Sequence, residues 1–414
     1  MLIEYKFSNY TSFYEETKLS MKAGSDRRFK DENTFKTSYG MLNKSALIFG
    51  PNGSGKSNLV NSLEYMCTCV LASFEVQAKI IALSNNFIFN ENSNEKPKSF
   101  EVSFIIDNIL YIYGFSILNG KIHKEYLYKK VKRLTEVFVR NSSKHKDILI
   151  TNEFENVRHL IQNTREDALF LSWANFGNNE LAMKIYKWFE NIEVFDGDDT
   201  EEFLSSTVEF IQESDINKEK VLKFLNNADL GVLDFNLKIK EDDSRKFLLE
   251  SLKKSVADKL ETLPSVKTVD MKIRHKLYSD DWNEIGTVET NIGLESNGTK
   301  KMFEIAGPII DAIEKGKIII IDEIDARLHP LLVNHLVKLF NSNKTNAQLI
   351  TTTHNIMLLD EDLRKDQISF INKNNYGISH ITNLTEFKRI RKNSKLVKQY
   401  LSGVFESIPK IKNS

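Results

Sequence analysis

The sequence of 414 residues has little cysteine and no excess of either charge. Its two cysteines, Cys67 and Cys69, stand two positions apart on a predicted helix, a spacing that suits neither a disulfide nor a zinc pair. Lysine plus arginine and aspartate plus glutamate number 57 each, so no net field attracts the whole chain to nucleic acid or to an anionic membrane. Contacts of that kind would have to be local.

Long apolar runs, a signal sequence and repeats are also missing. The N-terminal residues MLIEYKFSNY have no signal-peptide pattern, and the most apolar helix candidate, which starts at Met66, is interrupted by charged residues. No heptad pattern is long enough for a coiled-coil arm. Together with the low cysteine content, these features predict a soluble protein of the cytoplasm with no membrane segment.

The pattern of apolar residues divides the chain into parts. Residues 1–150 alternate strand-like segments with turns, residues 151–266 are typical of helices with apolar positions near a 3.6-residue period, and strand character resumes at 267. We therefore predict an α/β protein with one discontinuous domain, residues 1–150 and 267–385. A mainly helical insertion of residues 151–266 would interrupt it, and residues 386–414 would form a basic tail.

The clearest motif is GPNGSGKS, which lies between the strand-like ALIF and the helix-like NLVNSLEYM. It fits the phosphate-loop pattern GxxxxGKS in the strand–loop–helix context that the pattern requires. Glycines let backbone N–H groups surround phosphates, and the loop ends at the positive end of a helix. We expect Lys56 to bind β- and γ-phosphate oxygens and the Ser57 hydroxyl to bind Mg²⁺. The predicted nucleotide-binding residues of the loop are Gly50, Pro51, Asn52, Gly53, Ser54, Gly55, Lys56, Ser57 and Asn58.

Two further strand ends carry groups that hydrolysis needs. In GKIIIIDEID a buried strand delivers Asp322 and Glu323 at its carboxyl edge, where ligands bind in α/β sheets. Asp322 is expected in the magnesium shell, and Glu323 is expected to polarise the attacking water. The strand AQLITTTH ends in His354, which from a neighbouring strand end can reach a γ-phosphate.

A second helix start follows the residues ETNIGLE. Ser296, Asn297 and Gly298 form a small polar turn before an apolar-periodic helix, which suits an anion but is also what an ordinary N-cap requires. One nucleotide has little use for two phosphate-binding helix starts in the same subunit. Two subunits packed head to tail would use both, so we predict a homodimer or higher homo-oligomer with shared sites.

The motifs GPNGSGKS, ESNGTKK, IIIIDEID with the following ARLHP, and TTTH resemble the ABC-type ATPase head of the structural-maintenance-of-chromosomes and RecF class. The N-terminal FSNYTSFYEETKLSM is similar to the first strand pair of that class. More narrowly, ESNGTKKMFE, DARLHPLLVNHLVKLF, LLDEDLRKDQISFINK and KQYLSGVFESIP resemble the compact bacterial ATPases of antiphage defence of the AbiL, RloA and AriA type.

The resemblance implies an ABC-type P-loop ATPase head, a mixed sheet sandwich with helices, that binds ATP and Mg²⁺. It implies the following roles: Lys56 and Ser57 in the phosphate loop, Asp322 and Glu323 at the metal and general-base positions, Ser296 and Gly298 in the signature, Asp325 in the loop that contacts the opposite subunit, and His354 as the switch. Glu295 stands where the transporter-like pattern has leucine. For the glutamine that links the two lobes, the sequence offers Gln162, in no diagnostic context.

We predict an ATP-switched sensor or scaffold that controls a separate effector protein. One candidate for this effector is a Toprim-like nuclease. Nucleic acid is a further candidate partner of the ATPase. The acidic segment from Glu193 to Asp215 and the basic segment from Lys388 to Lys412 offer opposite-sign surfaces for such contacts. The alternatives are a DNA repair or recombination ATPase of the RecF and structural-maintenance-of-chromosomes class, which normally carries coiled-coil arms, and a nucleotide-binding scaffold that does not hydrolyse ATP.

Overall fold

The computed structural model describes residues 1–74, 81, 84–141, 149–161, 163–228, 230–241, 267–388 and 395–408. The chain forms two compact units: one contains Met1–Asp199 and Asp311–Ser414, and the other contains Thr200–Ile310. None of the helices that the structure describes combines the length and the apolar character that a membrane crossing requires. The two units are described in turn.

The strands within the described residues are β1 (Leu2–Ser8), β2 (Thr17–Ser20), β3 (Thr34–Thr37), β4 (Gly40–Asn43), β5 (Ser45–Phe49), β6 (Lys98–Ile106), β7 (Ile109–Leu118), β8 (Lys121–Lys130), β9 (Leu134–Asn141), β10 (Leu149–Ile150), β11 (Ile192–Asp196), β12 (Asp234–Glu241), β13 (Lys267–Tyr278), β14 (Glu284–Asn291), β15 (Ile318–Asp322), β16 (Gln348–Thr353), β17 (Ile368–Lys373) and β18 (Ser379–Asn383).

The helices within the same residues are α1 (Lys30–Asn33), α2 (Lys56–Ala72), α3 (Arg158–Ile161), α4 (Phe170–Phe176), α5 (Glu180–Glu190), α6 (Thr200–Glu213), α7 (Asp215–Asn227), α8 (Asn297–Lys315), α9 (Pro330–Ser342) and α10 (Leu396–Leu401).

The first unit contains two large sheets and a β3–β4 hairpin. One sheet is antiparallel in the order β10-β9-β8-β7-β6-β1-β2, and the other has the order β11-β15-β16-β5-β17-β18. Helix α2 and residues of both sheets belong to one hydrophobic core. The buried residues of α2 lie on one broad face of the helix, and the opposite face carries the exposed residues Ser57, Asn61, Glu64 and Thr68. The predicted α/β class, with a mixed sheet, a second sheet and helices, is confirmed.

The β11–β18 sheet places the carboxyl ends of its parallel strands at one edge. Strands β11, β15, β16, β5 and β17 are parallel to their neighbours, and β18 returns antiparallel to β17. Every residue of β5, β15 and β16 is buried, as expected for strands covered on both faces. The loops that follow β5, β15, β16 and β17 therefore start at the same edge.

The observed units differ from the predicted domain boundaries. Residues 151–199 lie in the first unit, where Ile192–Asp196 form the edge strand β11 beside β15. The periodicity of the α5 sequence indicated a helix correctly but could not show which sheet the helix packs against. The predicted boundary at 266 lies outside the described residues.

The predicted basic tail is partly folded. Its described residues, 386–388 and 395–408, lie in the first unit and include helix α10. The Phe405 ring stacks on the Phe370 ring of β17 with centroids 4.5 Å apart, and Asn372 donates a hydrogen bond to the Phe405 carbonyl oxygen at 3.1 Å. Residues 389–394 and 409–414 lie outside the described part of the chain.

The second unit contains α6, α7, the N-terminal part of α8, and an antiparallel sheet in the order β12-β13-β14. The predicted helical segment, residues 151–266, therefore missed strand β12, whereas β13 begins at residue 267, where strand character was predicted to resume. Strand β14 of this sheet is almost entirely exposed, so it lacks the clear alternation of buried and exposed residues that identifies a strand in a sequence.

Helix α8 contains a proline whose missing N–H is compensated by a neighbouring helix. Pro308 cannot donate to the carbonyl of Glu304, one turn earlier. The Thr207 hydroxyl of α6 donates to that carbonyl oxygen at 2.5 Å and accepts a hydrogen bond from Gly307 N at 2.9 Å. A Cβ atom on Gly307 would lie 2.5 Å from the Thr207 Cα atom, so this close approach requires glycine.

Candidate functional site

The carboxyl ends of the parallel strands border a cavity of about 550 Å³ in the first unit. Its lining comes from the segments that follow β5, β15 and β16 and from the last residue of β17. The lining residues are Asn52, Gly53, Gly55, Lys56, Ser57, Asn58, Glu323, His354 and Lys373. Three of the predicted strand ends therefore meet in one cavity.

The loop after β5 ends in the first turn of α2, as the motif predicts. Gly55 has a φ of 112° and is followed by Lys56, the first residue of the helix. The first turn of α2 contains no acidic side chain, so the positive helix end and its N–H groups are not offset locally. The Lys56 ammonium donates to the carbonyl oxygens of Gly50 at 3.0 Å and Pro51 at 3.3 Å.

Opposing effects act on the Lys56 ammonium. Burial lowers its pKa, and the carboxylates of Glu323, Asp322 and Asp325 act in the opposite direction. One ammonium close to three carboxylates leaves an excess of negative charge, so a bound phosphate would need a further cation such as Mg²⁺ beside it.

A chain of hydrogen bonds supports the phosphate loop from outside the motif. Ser379 Oγ lies 2.6 Å from the Ser54 carbonyl oxygen and 2.8 Å from Ser12 Oγ, and Asn58 Nδ2 donates to Ser12 Oγ at 2.8 Å. A hydroxyl has one proton, and a carbonyl can only accept. The chain therefore runs from Asn58 through Ser12 and Ser379 to Ser54. It joins the N-terminal segment and β18 to the loop.

Asp322 and Glu323 are positioned by a threonine of the adjacent strand. The Thr352 hydroxyl donates to Asp322 Oδ1 and accepts a hydrogen bond from Glu323 N at 2.7 Å. Gly197, which follows β11, donates its N–H to the Asp322 carbonyl oxygen at 2.7 Å. Glu323 has a left-handed backbone conformation with a φ of 50°, which is uncommon for a residue other than glycine.

His354 lies directly opposite Glu323. Its Nε2 is 3.7 Å from Glu323 Oε1, and both groups face the cavity. The backbone N–H of His354 points to the Asp325 carboxylate, with distances of 3.1 and 3.2 Å to the two oxygens. In this chain Asp325 therefore fixes the backbone of His354, whereas its predicted contact with an opposite subunit stays a prediction.

Ser296 and Gly298 lie in the second unit, at the start of α8. The Ser296 hydroxyl accepts a hydrogen bond from Thr299 N at 3.1 Å and caps the helix, and Ser296 itself is exposed. The carboxylate of Glu295 accepts from Thr290 Oγ1 at 3.0 Å and lies 2.9 Å from His275 Nε2. A glutamate at this position therefore has specific polar partners.

Sequence reasoning missed several residues around the cavity. Thr352 lies in the run TTTH beside His354, so a polar residue within a buried strand was an available signal. Ser12, Ser379 and Gly197 are distant in sequence from the motif residues that they contact, and no local pattern identifies them. Gln162 lies outside the described residues.

The protein family described as "AAA domain, putative AbiEii toxin, Type IV TA system" matches residues 45–360. The chain is 22% identical over 376 residues to the protein named "Retron Vc95 probable ATPase" from Vibrio cholerae serotype O1 biovar El Tor, covering 80% of this chain and 70% of that relative. The matched family region contains the phosphate loop, the β15 and β16 ends, and the start of α8.

Solved structures that are similar to this chain include two SMC heads. The SmcHead bound to the C-winged helix domain of ScpA is 14% identical, with 92% of this chain and 96% of that chain covered and a TM-score of 0.45. The SMC head domain from Thermotoga maritima is 13% identical, with 92% and 98% covered and a TM-score of 0.43.

We predict that Gly55→Ala lowers the affinity for Mg·ATP at least about tenfold, because the new Cβ must displace the hydroxyls that support the loop. That Cβ would lie 2.5 Å from Ser379 Oγ and 2.8 Å from Ser12 Oγ. Isothermal titration calorimetry measures the affinity. Gly40→Ala is the matched control, because Gly40 has a φ of 116°, close to the 112° of Gly55, with no atom within 4 Å of the new Cβ.

Both substitutions introduce backbone strain of about 1–3 kcal/mol, so both should lower the melting temperature. Only the Gly55 variant should lose ATP affinity. Equal affinities for the two variants would contradict the proposed role of the serine contacts.

Proposed function

Since this chain belongs to that AAA-domain family and has the fold of an ABC-type P-loop ATPase head, we propose that it is a magnesium-dependent ATPase of an antiphage defence system. We further propose that it acts as an ATP-switched sensor or scaffold, shares its ATP sites between two subunits, and controls a separate effector. One observation carries the catalytic part of the proposal. Lys56, Ser57, Glu323 and His354 line one cavity at the ends of adjacent parallel strands.

The residues present fit a Mg²⁺ that enters with the nucleotide. The described residues contain no group of three or more His, Cys, Asp or Glu side chains that could hold a metal. Mg²⁺ in nucleotide sites is held by one or two carboxylates together with phosphate oxygens and water. Ser57 and Asp322 would hold it here, with the Asp322 carboxylate oriented by Thr352. When bound, the ion neutralises negative charge on the β- and γ-phosphates.

Each side chain of the cavity has a separate role in the proposed reaction. The backbone N–H groups of the loop and the Lys56 ammonium bind phosphate oxygens. The Glu323 carboxylate accepts a proton from the attacking water and orients that water towards the terminal phosphate. His354, 3.7 Å from Glu323, contacts the terminal phosphate from the neighbouring strand end. Thr352 holds the Glu323 N–H, and Gly197 holds the carbonyl oxygen of the preceding residue, Asp322.

We expect Glu323→Gln to bind ATP with nearly unchanged affinity and to lose turnover by about 10²–10⁴-fold, because the amide cannot accept the proton from water. Lys56→Ala should instead weaken ATP binding itself. Phosphate release under steady-state conditions measures turnover, and calorimetry measures affinity. Turnover that neither substitution changes would rule out this assignment of the site.

The proposal of shared sites rests on the two helix starts. The N-terminus of α2 forms part of the phosphate cavity, and the N-terminus of α8 carries the exposed, capped Ser296 in the other unit. By the resemblance of ESNGTKK to the signature motif, the second helix start would contact the terminal phosphate held by another subunit. A two-fold dimer would then contain two equivalent composite sites.

Mixing Lys56→Ala protein with Ser296→Arg protein tests the shared sites. Each variant alone should be inactive, whereas a mixed dimer retains one intact site. Equal amounts that exchange at random should recover up to about a quarter of the wild-type rate, because half of the dimers are mixed and each has one of two sites. No recovery, under conditions where labelled subunits demonstrably exchange, would contradict the shared site.

The proposed control of an effector is supported by the family description, which names an AbiEii-type toxin of a type IV toxin–antitoxin system, and by the resemblance to antiphage ATPases. The acidic segment contributes little to this argument, since part of its charge has structural partners. Glu193 pairs with Lys317, and Glu201 and Glu202 lie in the first turn of α6, where acidic side chains stabilise a helix.

We expect the product of the gene adjacent to this one to co-purify with the ATPase. Cells that carry both genes should survive phage challenge better than cells that carry either gene alone, and Glu323→Gln should abolish the protection because the ATP state would no longer cycle. Plaque counts on these strains are the measurement. Full protection by the ATPase gene alone would show that no separate effector is needed.

A further inference from the structure

A lysine to which the sequence analysis assigned no role faces the phosphate cavity. Lys373 is the last residue of β17, the strand that pairs in parallel with β5 through Phe370 and Phe49. The loop follows directly after Phe49, so the chain from Ile371 to Lys373 runs beside the first residues of the phosphate loop. The Lys373 side chain lines the same cavity as Lys56, Glu323 and His354.

The backbone around Lys373 is held against the phosphate loop on both sides. Two residues before it, the Ile371 carbonyl oxygen packs so closely against Gly50 that a Cβ atom added to this glycine would lie only 2.6 Å from that oxygen. After it, the β17–β18 pairing places Lys373 opposite Ser379, whose hydroxyl donates to the Ser54 carbonyl oxygen at 2.6 Å. The strand end therefore has a fixed position relative to the loop.

A neighbouring cavity shows which side of the site Lys373 occupies. This second cavity, of about 1390 Å³, is also lined by Lys373, together with His354 and the first half of the phosphate loop, residues 51–54. Lys56, Ser57 and Asn58, from the second half of the loop, line only the smaller of these two cavities. Lys373 therefore lies on the His354 side, where the proposed reaction places the terminal phosphate.

The charges of the smaller cavity leave a place for a second cation. Glu323 lines the cavity, and the carboxylates of Glu323, Asp322 and Asp325 all act on the pKa of Lys56. The triphosphate adds further negative charge, so Lys56 and the Mg²⁺ that enters with the nucleotide do not together balance the site. A lysine ammonium on a long flexible side chain is a compact cation that can follow a phosphate oxygen.

We propose that Lys373 binds the terminal phosphate of ATP and makes the site select the triphosphate over the diphosphate. This inference rests on the proposed ATPase function and adds a residue to its site. Lys56 differs in role, because the phosphate loop contacts the nucleotide in both its ATP and ADP forms. A hydrogen bond between an ammonium and a phosphate oxygen is charge-assisted and is stronger than one between neutral groups.

The test compares the affinities of the full-length protein for Mg·ATPγS and Mg·ADP by calorimetry. Lys373→Met should weaken ATPγS binding about tenfold and change ADP binding less than about twofold, because only the triphosphate reaches Lys373. Lys373→Arg should retain most of the ATPγS affinity, since it keeps the charge and the donors. Lys36→Met, at an exposed position of β3, controls for the loss of one surface charge.

The possible results separate the inference from the function on which it rests. Wild-type protein that binds neither nucleotide would overturn the proposed ATPase. Wild-type protein that binds both, with Lys373→Met unchanged or equally weakened for both, would overturn the role of Lys373 and leave the ATPase standing. A change in sedimentation behaviour of Lys373→Met without a change in ATPγS affinity would assign the lysine to a subunit contact and also overturn the inference.

Discussion

A left-handed residue at the end of a buried strand is the constraint on which the candidate site depends. Glu323 has a φ of 50°, a conformation that costs of order 1–3 kcal/mol outside glycine and persists only where the surroundings hold it. The Thr352 hydroxyl accepts a hydrogen bond from Glu323 N at 2.7 Å, and Ala326 N donates a hydrogen bond to the Glu323 carbonyl oxygen at 2.8 Å. Because of this turn, Asp322 stays buried against β16 while Glu323 enters the cavity beside His354.

The phosphate loop and the Glu323 turn are held by different parts of the chain. The loop is supported by Ser12 from the N-terminal segment and by Ser379 from β18. The turn is supported by β16 and by the residue that follows β11. Among the described residues, the phosphate loop and the Glu323 turn therefore depend on separate sets of contacts.

The sequence predicted the parts of this site that are encoded locally. A strand, a glycine-rich loop and a helix within about twenty residues identify the phosphate loop, because the chemistry needs them in that order. The two carboxylates after IIII and the histidine after TTT could also be predicted, since parallel buried strands end at one edge of a sheet. The hydrogen bonds that run through Ser12 and Ser379 could not be predicted, because these two residues lie 367 positions apart in the sequence. The edge strand β11 was also missed, since five residues of mixed polarity after a helix do not specify a sheet neighbour.

The hydroxyl of Thr207 fixes helix α8 to helix α6 in the unit that carries Ser296. It bonds both to Glu304 and to Gly307, so α6 and α8 are joined through a donor and an acceptor at the one turn where Pro308 interrupts the helix ladder. Ser296 lies eleven residues before Gly307, about 16 Å along a helix. The turn of α8 that contains Glu304 and Gly307 is thus fixed to α6 by two hydrogen bonds. A rotation of α8 at this turn that α6 did not follow would therefore break both hydrogen bonds of Thr207.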